Sequence, residues 1–229
     1  SDHIYNSPEE ANEIAKELAQ NYGYDNKVAS KALVNLFAEF KPSELQSKKW
    51  WKNKISKFGP ANKGHDRIAR GVISQLYSWS IPTLEDFDKI KIFTGDNTIN
   101  SIGSGAGYWE YLLNKHYDIM VHASDTTMTH RFIDISEENY ADSNINNEDV
   151  IFLAWIPAGE NGATNILKKM SSGQKLILVG ELPDAPNTAL TCATNEFYNY
   201  MIGNFICEAT HPLTRFNYFR DSMAFLIKK

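Results

Sequence analysis

Cysteine is scarce. Cys192 and Cys207 are the two cysteines of the chain, with no Cys-x-x-Cys or Cys/His cluster around them, so neither a disulfide framework nor a zinc site is expected. No uninterrupted apolar run approaches the roughly 18 residues of a membrane span, which argues against a membrane partner. The opening Ser1-Asp2-His3 lacks the basic-then-apolar layout of a secretory leader, although it also lacks an initiating Met. The expected compartment is reducing and cytoplasmic. Arginine is rare as well: 5 Arg stand against 18 Lys, beside 21 Asn and 21 Ile, a bias typical of AT-rich coding that fills solvated positions with Lys and Asn. No Gly-Lys-Ser/Thr follows any glycine turn, which excludes a Walker loop. Internal repeats and low-complexity tracts are missing too.

What remains is an ordinary globular composition, 42% hydrophobic and 22% charged over 229 residues, enough for one or two domains. The net charge of -5 is unevenly placed. Residues 1–98 carry 14 Lys and Arg against 13 Asp and Glu, and residues 99–229 carry 9 against 15. Within residues 48–70, eight cations (Lys48, Lys49, Lys52, Lys54, Lys57, Lys63, Arg67 and Arg70) meet Asp66 alone.

The first 80 residues read as a helical extension. Ser7-Pro8-Glu9-Glu10 has the form of an N-cap, an N1 proline and a capping-box glutamate, and Ala11, Ile14, Ala15 and Leu18 follow at helical spacing. Val28, Ala32, Leu33, Leu36, Phe37 and Phe40 make a second stripe that ends at Lys41-Pro42. A third helix is expected over 66–77, before Ser80-Ile81-Pro82 breaks it, and a short one over 84–90. From about residue 98 the texture changes to short β runs alternating with helices: strands at 99–102, 119–124, 131–135, 150–155 and 175–180, helices at 108–115 and 161–170. Such alternation predicts a parallel sheet covered on both faces. The tail, with a helix at 195–201 and strands at 204–209 and 223–227, breaks the pattern, and two strands without a helix between them can pair antiparallel.

The strongest local signal is the strand that runs into Gly103-Ser104-Gly105-Ala106-Gly107 at a helix start. Glycines there let the backbone approach a ligand closely, and free N–H groups at the helix N-terminus face it. The next strand ends at Asp125, 22 residues after Gly103, where a carboxylate can accept both ribose hydroxyls of an adenosine-containing ligand. A nicotinamide or flavin fingerprint requires a small residue where Tyr108 stands.

These residues resemble the class I S-adenosylmethionine-dependent methyltransferases. Gly103 to Gly107 is similar to that family's first motif, Asp125 to its ribose-binding acid, and Asp149-Val150-Ile151-Phe152-Leu153-Ala154-Trp155-Ile156-Pro157 to its fourth-strand motif. More narrowly, Tyr77-Ser78-Trp79-Ser80-Ile81-Pro82, Tyr108-Trp109 and Leu178-Val179-Gly180-Glu181 resemble a group of uncharacterised methyltransferase-like proteins. The resemblance implies a Rossmann-like α/β sheet, mostly parallel with an antiparallel last strand, over residues 81–229, behind an N-terminal helical extension or lid over 1–80. It implies S-adenosylmethionine as cofactor, with Ser101, Gly103, Ser104, Gly105, Gly107, Asp125, Thr126 and Trp155 on the cofactor side. Tyr77 and Trp79 would close as a lid, and Glu181 would face the substrate. Two departures stand out. Ser101 occupies the position, two before the first glycine, where the family often has an acid. Ala154-Trp155-Ile156-Pro157 replaces the Asn/Asp-Pro-Pro-Tyr/Phe corner of base and amide N-methylating members, so that chemistry is unsupported.

Methyl transfer needs the acceptor brought into line with the cofactor, and an amine or thiolate acceptor already has its lone pair, so no dedicated base is assigned. Glu160, Glu181, His130 and His211 are the side chains weighed for that role. The expected function is methyl transfer to an unidentified acceptor. The alternative from a different class is a non-catalytic binding protein on the same fold, contacting nucleic acid through the basic segment 48–70. Interleaved cations and aromatics in Lys48-Lys49-Trp50-Trp51-Lys52 suit phosphate contact and base stacking. The favoured reading of that segment is an amphipathic segment that buries Trp50, Trp51, Ile55 and Phe58 and solvates its lysines.

Overall fold

The computed structural model describes residues 8–58, 63–126, 130–183, 192–216 and 220–229. They fall into two compact units, one running to Glu85 and taking in the segment from Thr214, the other running from Asp86 to Leu213 and from Arg220 to Lys229.

The first unit is built from α1 (Pro8–Asn21), α2 (Asn26–Phe37), α3 (Lys48–Phe58) and α4 (Lys63–Leu76), with α1, α2 and α4 packed on one another. Small residues set the spacing. Ala11, Ala15 and Ala19 of α1 and Ala29 and Ala32 of α2 are buried, and a Cβ at Gly71 of α4 would fall 2.5 Å from a Leu18 methyl. Asp25 caps α2 by accepting the Lys27 and Val28 amides at 2.9 and 3.1 Å, and Ser47 caps α3 by accepting the Trp50 amide at 3.1 Å. Phe40 joins the elements, its ring 5.3 Å from that of Trp51 and 5.5 Å from that of Tyr77. Ser7, the expected cap of α1, lies outside the described residues.

α5 (Leu84–Thr94) leads into the second unit, whose elements are β1 (Ile99–Ile102), α6 (Tyr108–Tyr117), β2 (Val121–Asp125), β3 (Ile135–Glu137), β4 (Val150–Ala154), α7 (Gly162–Lys169), β5 (Lys175–Gly180), α8 (Asn195–Asn204), β6 (Phe205–Pro212) and β7 (Ser222–Lys228). The strands form one sheet in the order β3-β2-β1-β4-β5-β7-β6. β3, β2, β1, β4 and β5 run parallel, and β7 pairs antiparallel with both β5 and β6. This is the Rossmann-like, mostly parallel sheet with a reversed last strand that the resemblance implied.

β4 reads Val-Ile-Phe-Leu-Ala and is buried along nearly its whole length, because helices cover both faces. Ser101 and Phe152, paired in register, share the face of α5 and α6, where Trp109 stacks 5.8 Å from Phe152 and 5.6 Å from Phe87. Ile102, Ile151 and Leu153 share the other face with Ile166 of α7 and Phe197 of α8. β1 and β4 are neighbours, and the chain leaves β1 toward β2 and β3 before returning to β4. Their C-terminal ends therefore form the switch point where open α/β sheets bind ligands.

One strand differs from expectation. A strand was expected at 131–135, but β3 begins at Ile135. The Phe132 amide donates instead to the Ala106 carbonyl at 2.8 Å, and Ile133 lies where a Cβ on Gly107 would reach, 2.5 Å from its Cγ2. Residues 131–134 are drawn onto the glycine turn rather than onto β2.

Candidate cofactor site at the switch point

The turn after β1 is held open by three left-handed glycines, Gly103 at φ 72°, Gly105 at 60° and Gly107 at 76°. Side-chain-bearing residues rarely adopt these values, which explains the spacing of the glycines. The turn is docked on β2 by two amides, Gly103 and Ser104, that share the Ser124 carbonyl at 2.8 and 2.9 Å. Asp125, one residue on, accepts the Gly105 amide through Oδ2 at 2.6 Å and the Thr126 amide through Oδ1, also at 2.6 Å. The strand-tip acid and the glycine turn, 20 residues apart in sequence, are thus one hydrogen-bonded unit.

The three glycines face different neighbours. A Cβ at Gly103 would collide with the Tyr140 hydroxyl, and one at Gly107 with Ile133, whereas one at Gly105 would meet nothing within 4 Å. Space above the turn therefore opens at Gly105. Beside it the Ser104 hydroxyl is buried without a hydrogen-bond partner, a polar atom left for a ligand. α6 follows Gly107, which as the N-cap residue offers no side-chain cap. Open backbone, an orphaned hydroxyl and an acid at the strand tip fit an adenosine-containing cofactor.

Ser101 is 1% exposed and donates its hydroxyl to Glu110 Oε1 at 2.6 Å. Glu110 sits on the first turn of α6, itself 3% exposed. Burial pushes its carboxyl up to about 7, the Asp125 charge adds to the rise, and the Ser101 hydroxyl and the helix backbone oppose it. Sequence reasoning missed Glu110. The signal was a glutamate on the first turn of the helix that follows the glycine turn, but its register toward Ser101 depends on how α6 lies on β1. Tyr140 was missed for a similar reason. It follows β3, lies against Gly103, and its phenol is pushed up by burial and by the Asp125 and Glu160 carboxylates.

Trp155 leaves β4 with φ 48°, a left-handed conformation that bulky residues avoid and that concentrates at functional sites. Its amide donates to the Val179 carbonyl at 2.8 Å, and the next residue, Ile156, accepts the Ala193 amide at 2.8 Å. Glu181 follows β5 half-buried, its carbonyl accepting the Tyr198 hydroxyl at 2.8 Å. Thr126 is exposed beside Asp125 and gives its hydroxyl to the same carboxylate at 3.2 Å.

Other weighed side chains have structural employment. Glu160 accepts the Gly162 amide at 2.7 Å and so caps the start of α7. His211 lies on β6, four strands from β1, and meets the fully buried Asp86 at 2.7 Å. His130 stands edge-on to Phe132. In the first unit Tyr77 is buried against Phe40, while Trp79 is 55% exposed, its carbonyl accepting Arg70 at 2.9 Å and its ring under the guanidinium. The basic segment is split: Trp51 and Lys54 are buried, Lys54 with its ammonium lowered by desolvation, Trp50 and Ile55 are half-buried, and Lys49, Lys52 and Lys57 are exposed. The side chain of Phe58 lies outside the described residues. A polar hollow of about 300 Å3 lined by Asn100, His122, Ser124 and Asp149 contains none of the turn glycines. Among the described residues no cluster of His, Cys, Asp and Glu could hold a metal, and no helix is long and apolar enough to cross a membrane.

No protein-family model matches the sequence, and no curated protein does. Solved structures are similar in fold. A mutant of MtNAS in complex with S-adenosylmethionine is 9% identical, covering 97% of this chain and 99% of that one at a TM-score of 0.49. The CcbJ methyltransferase from Streptomyces caelestis is 10% identical, covering 63% and 88% at 0.46. An rRNA methylase from Streptococcus thermophilus is 13% identical, covering 62% and 93% at 0.41.

Proposed function

We propose that this chain is an S-adenosylmethionine-dependent methyltransferase that acts on an as yet unidentified acceptor by direct methyl transfer. The observation that carries this reading is the unit formed by Asp125 and the glycine turn, with open space at Gly105 and an unpartnered hydroxyl at Ser104. Gly103, Gly105 and Gly107 shape the cradle. Asp125 takes the ribose: its Oδ2 keeps an acceptor site beyond the Gly105 amide, and the longer Thr126 hydroxyl contact on Oδ1 is readily exchanged. Trp155, turned out of the end of β4, offers an aromatic face suited to a sulfonium cation. Ser101 stands at the methionine end, where the strand lacks its usual acid.

When bound, the cofactor supplies an electrophilic methyl on a sulfonium. The chain supplies binding and alignment. With Glu160 committed to α7 and His211 to Asp86, the arrangement suits an acceptor that carries its own lone pair, an amine or a thiolate. The test is calorimetric titration with S-adenosylmethionine, followed by acceptor screening for release of S-adenosylhomocysteine. Asp125→Ala is expected to weaken binding by about 10- to 100-fold, the worth of hydrogen bonds to a charged group. Unchanged affinity in that variant would remove Asp125 from the site.

A further inference from the structure

We infer that Glu110 supplies, from the first turn of α6, the negative charge that β1 lacks at Ser101, and that it acts through the Ser101 hydroxyl as a positioning residue for the cationic methionine end of the cofactor. The inference rests on the cofactor reading above and deepens it.

Ser101 stands two residues before Gly103 and is almost fully buried. A serine there offers a hydroxyl without charge. Its proton is given to Glu110 at 2.6 Å, so its oxygen keeps acceptor capacity. Satisfying Ser101 does not require a carboxylate: a glutamine would accept the same bond without the burial penalty of an ionisable group. Among the described residues no lysine, arginine or histidine offsets Glu110, so the fold tolerates a carboxyl that packing alone does not explain.

The groups facing Glu110 define its behaviour. From β1 comes the Ser101 hydroxyl, from β2 the Asp125 carboxylate, and from α6 its own backbone amide. α5 packs on α6 through Phe87, but its Asp88 accepts the Tyr117 hydroxyl and its Asp86 meets His211. Arg131, in the segment over the turn, donates to the Ile135 carbonyl. Ionised, Glu110 holds Ser101 as an acceptor toward the site. Protonated, it has a hydrogen of its own to give, the bond reverses, and Ser101 turns a donor toward a cationic ligand. Burial and Asp125 place the changeover near neutral pH, at about 7.

The experiment is calorimetric titration of the full chain with S-adenosylmethionine at pH 6 and pH 8, alongside Glu110→Gln and the transposed pair Ser101→Asp with Glu110→Ser. If only the ionised form binds tightly, the wild-type chain gains about tenfold in affinity between the two pH values. Glu110→Gln, which can keep the Ser101 bond but carries no charge, is expected to bind more weakly than the wild type at pH 8 and to show no change between the two pH values, and the transposed pair to recover tight binding at pH 8. Circular dichroism melts accompany each titration. Wild-type binding that is indifferent to pH, with Glu110→Gln binding equally well, overturns this inference alone. A wild-type chain that binds at neither pH overturns the cofactor reading and this inference with it.

Discussion

Because Glu110 ionises near pH 7 in the folded chain and near 4.5 when its carboxyl is free in solution, the native state holds a proton that the unfolded state gives up between those values. Stability from this group is therefore complete below about pH 4.5 and is lost as pH rises toward 7, by about 3 kcal/mol in all. Glu110→Gln should flatten that part of the profile and exceed the wild type in denaturant midpoint at pH 8, with the difference closing toward pH 4.5. Parallel profiles would mean that Glu110 is not buried as described. The glycines give a second contrast. Gly105→Ala meets open space, so its cost in stability is the left-handed conformation, about 1–2 kcal/mol, while its methyl enters the space assigned to cofactor and should abolish binding. Gly103→Ala adds a collision with Tyr140 to the same strain and should melt at a lower temperature than Gly105→Ala. Equal melting temperatures would contradict the placement of Tyr140.

The elements were legible where the signal is local. β1 and β5 match their predicted spans, and β4 differs only at its end, because short buried β runs bounded by glycine or proline have few alternatives. The glycine turn and Asp125 were legible because left-handed backbone and a strand-tip acid each leave a residue-type signature. What was not legible depends on packing between elements: the Glu110 register on Ser101, Tyr140 over Gly103, and the loss of residues 131–134 from β3 to the turn. Trp155 was expected as the last residue of its strand, but it turns left-handed because Val179 holds its amide while Ile156 is tied to Ala193. The Asp86 and His211 pair, 125 residues apart, was also beyond sequence spacing. His211→Gln should lower the melting temperature, since it leaves a fully buried carboxylate without its ring partner, and should leave cofactor affinity unchanged. A loss of affinity without a loss of stability would return His211 to the site.

For the molecule as a whole, the uneven charge acquires a location. The acidic half forms the sheet unit that carries the turn, and the basic stretch forms α3 and α4, where Lys54 and Arg70 are buried rather than displayed. The exposed Lys49, Lys52 and Lys57 fit a solvated helix face, so labelled RNA is expected to show no mobility shift with this chain even at low salt; a shift that weakens steeply as salt rises would restore the nucleic-acid alternative. The central claim, that the Asp125 and glycine-turn unit binds S-adenosylmethionine, is tested most directly by calorimetric titration of the wild-type chain with S-adenosylmethionine at pH 8. One saturable site that Asp125→Ala weakens and NAD does not compete for is the predicted result. No heat of binding from either S-adenosylmethionine or S-adenosylhomocysteine would contradict it.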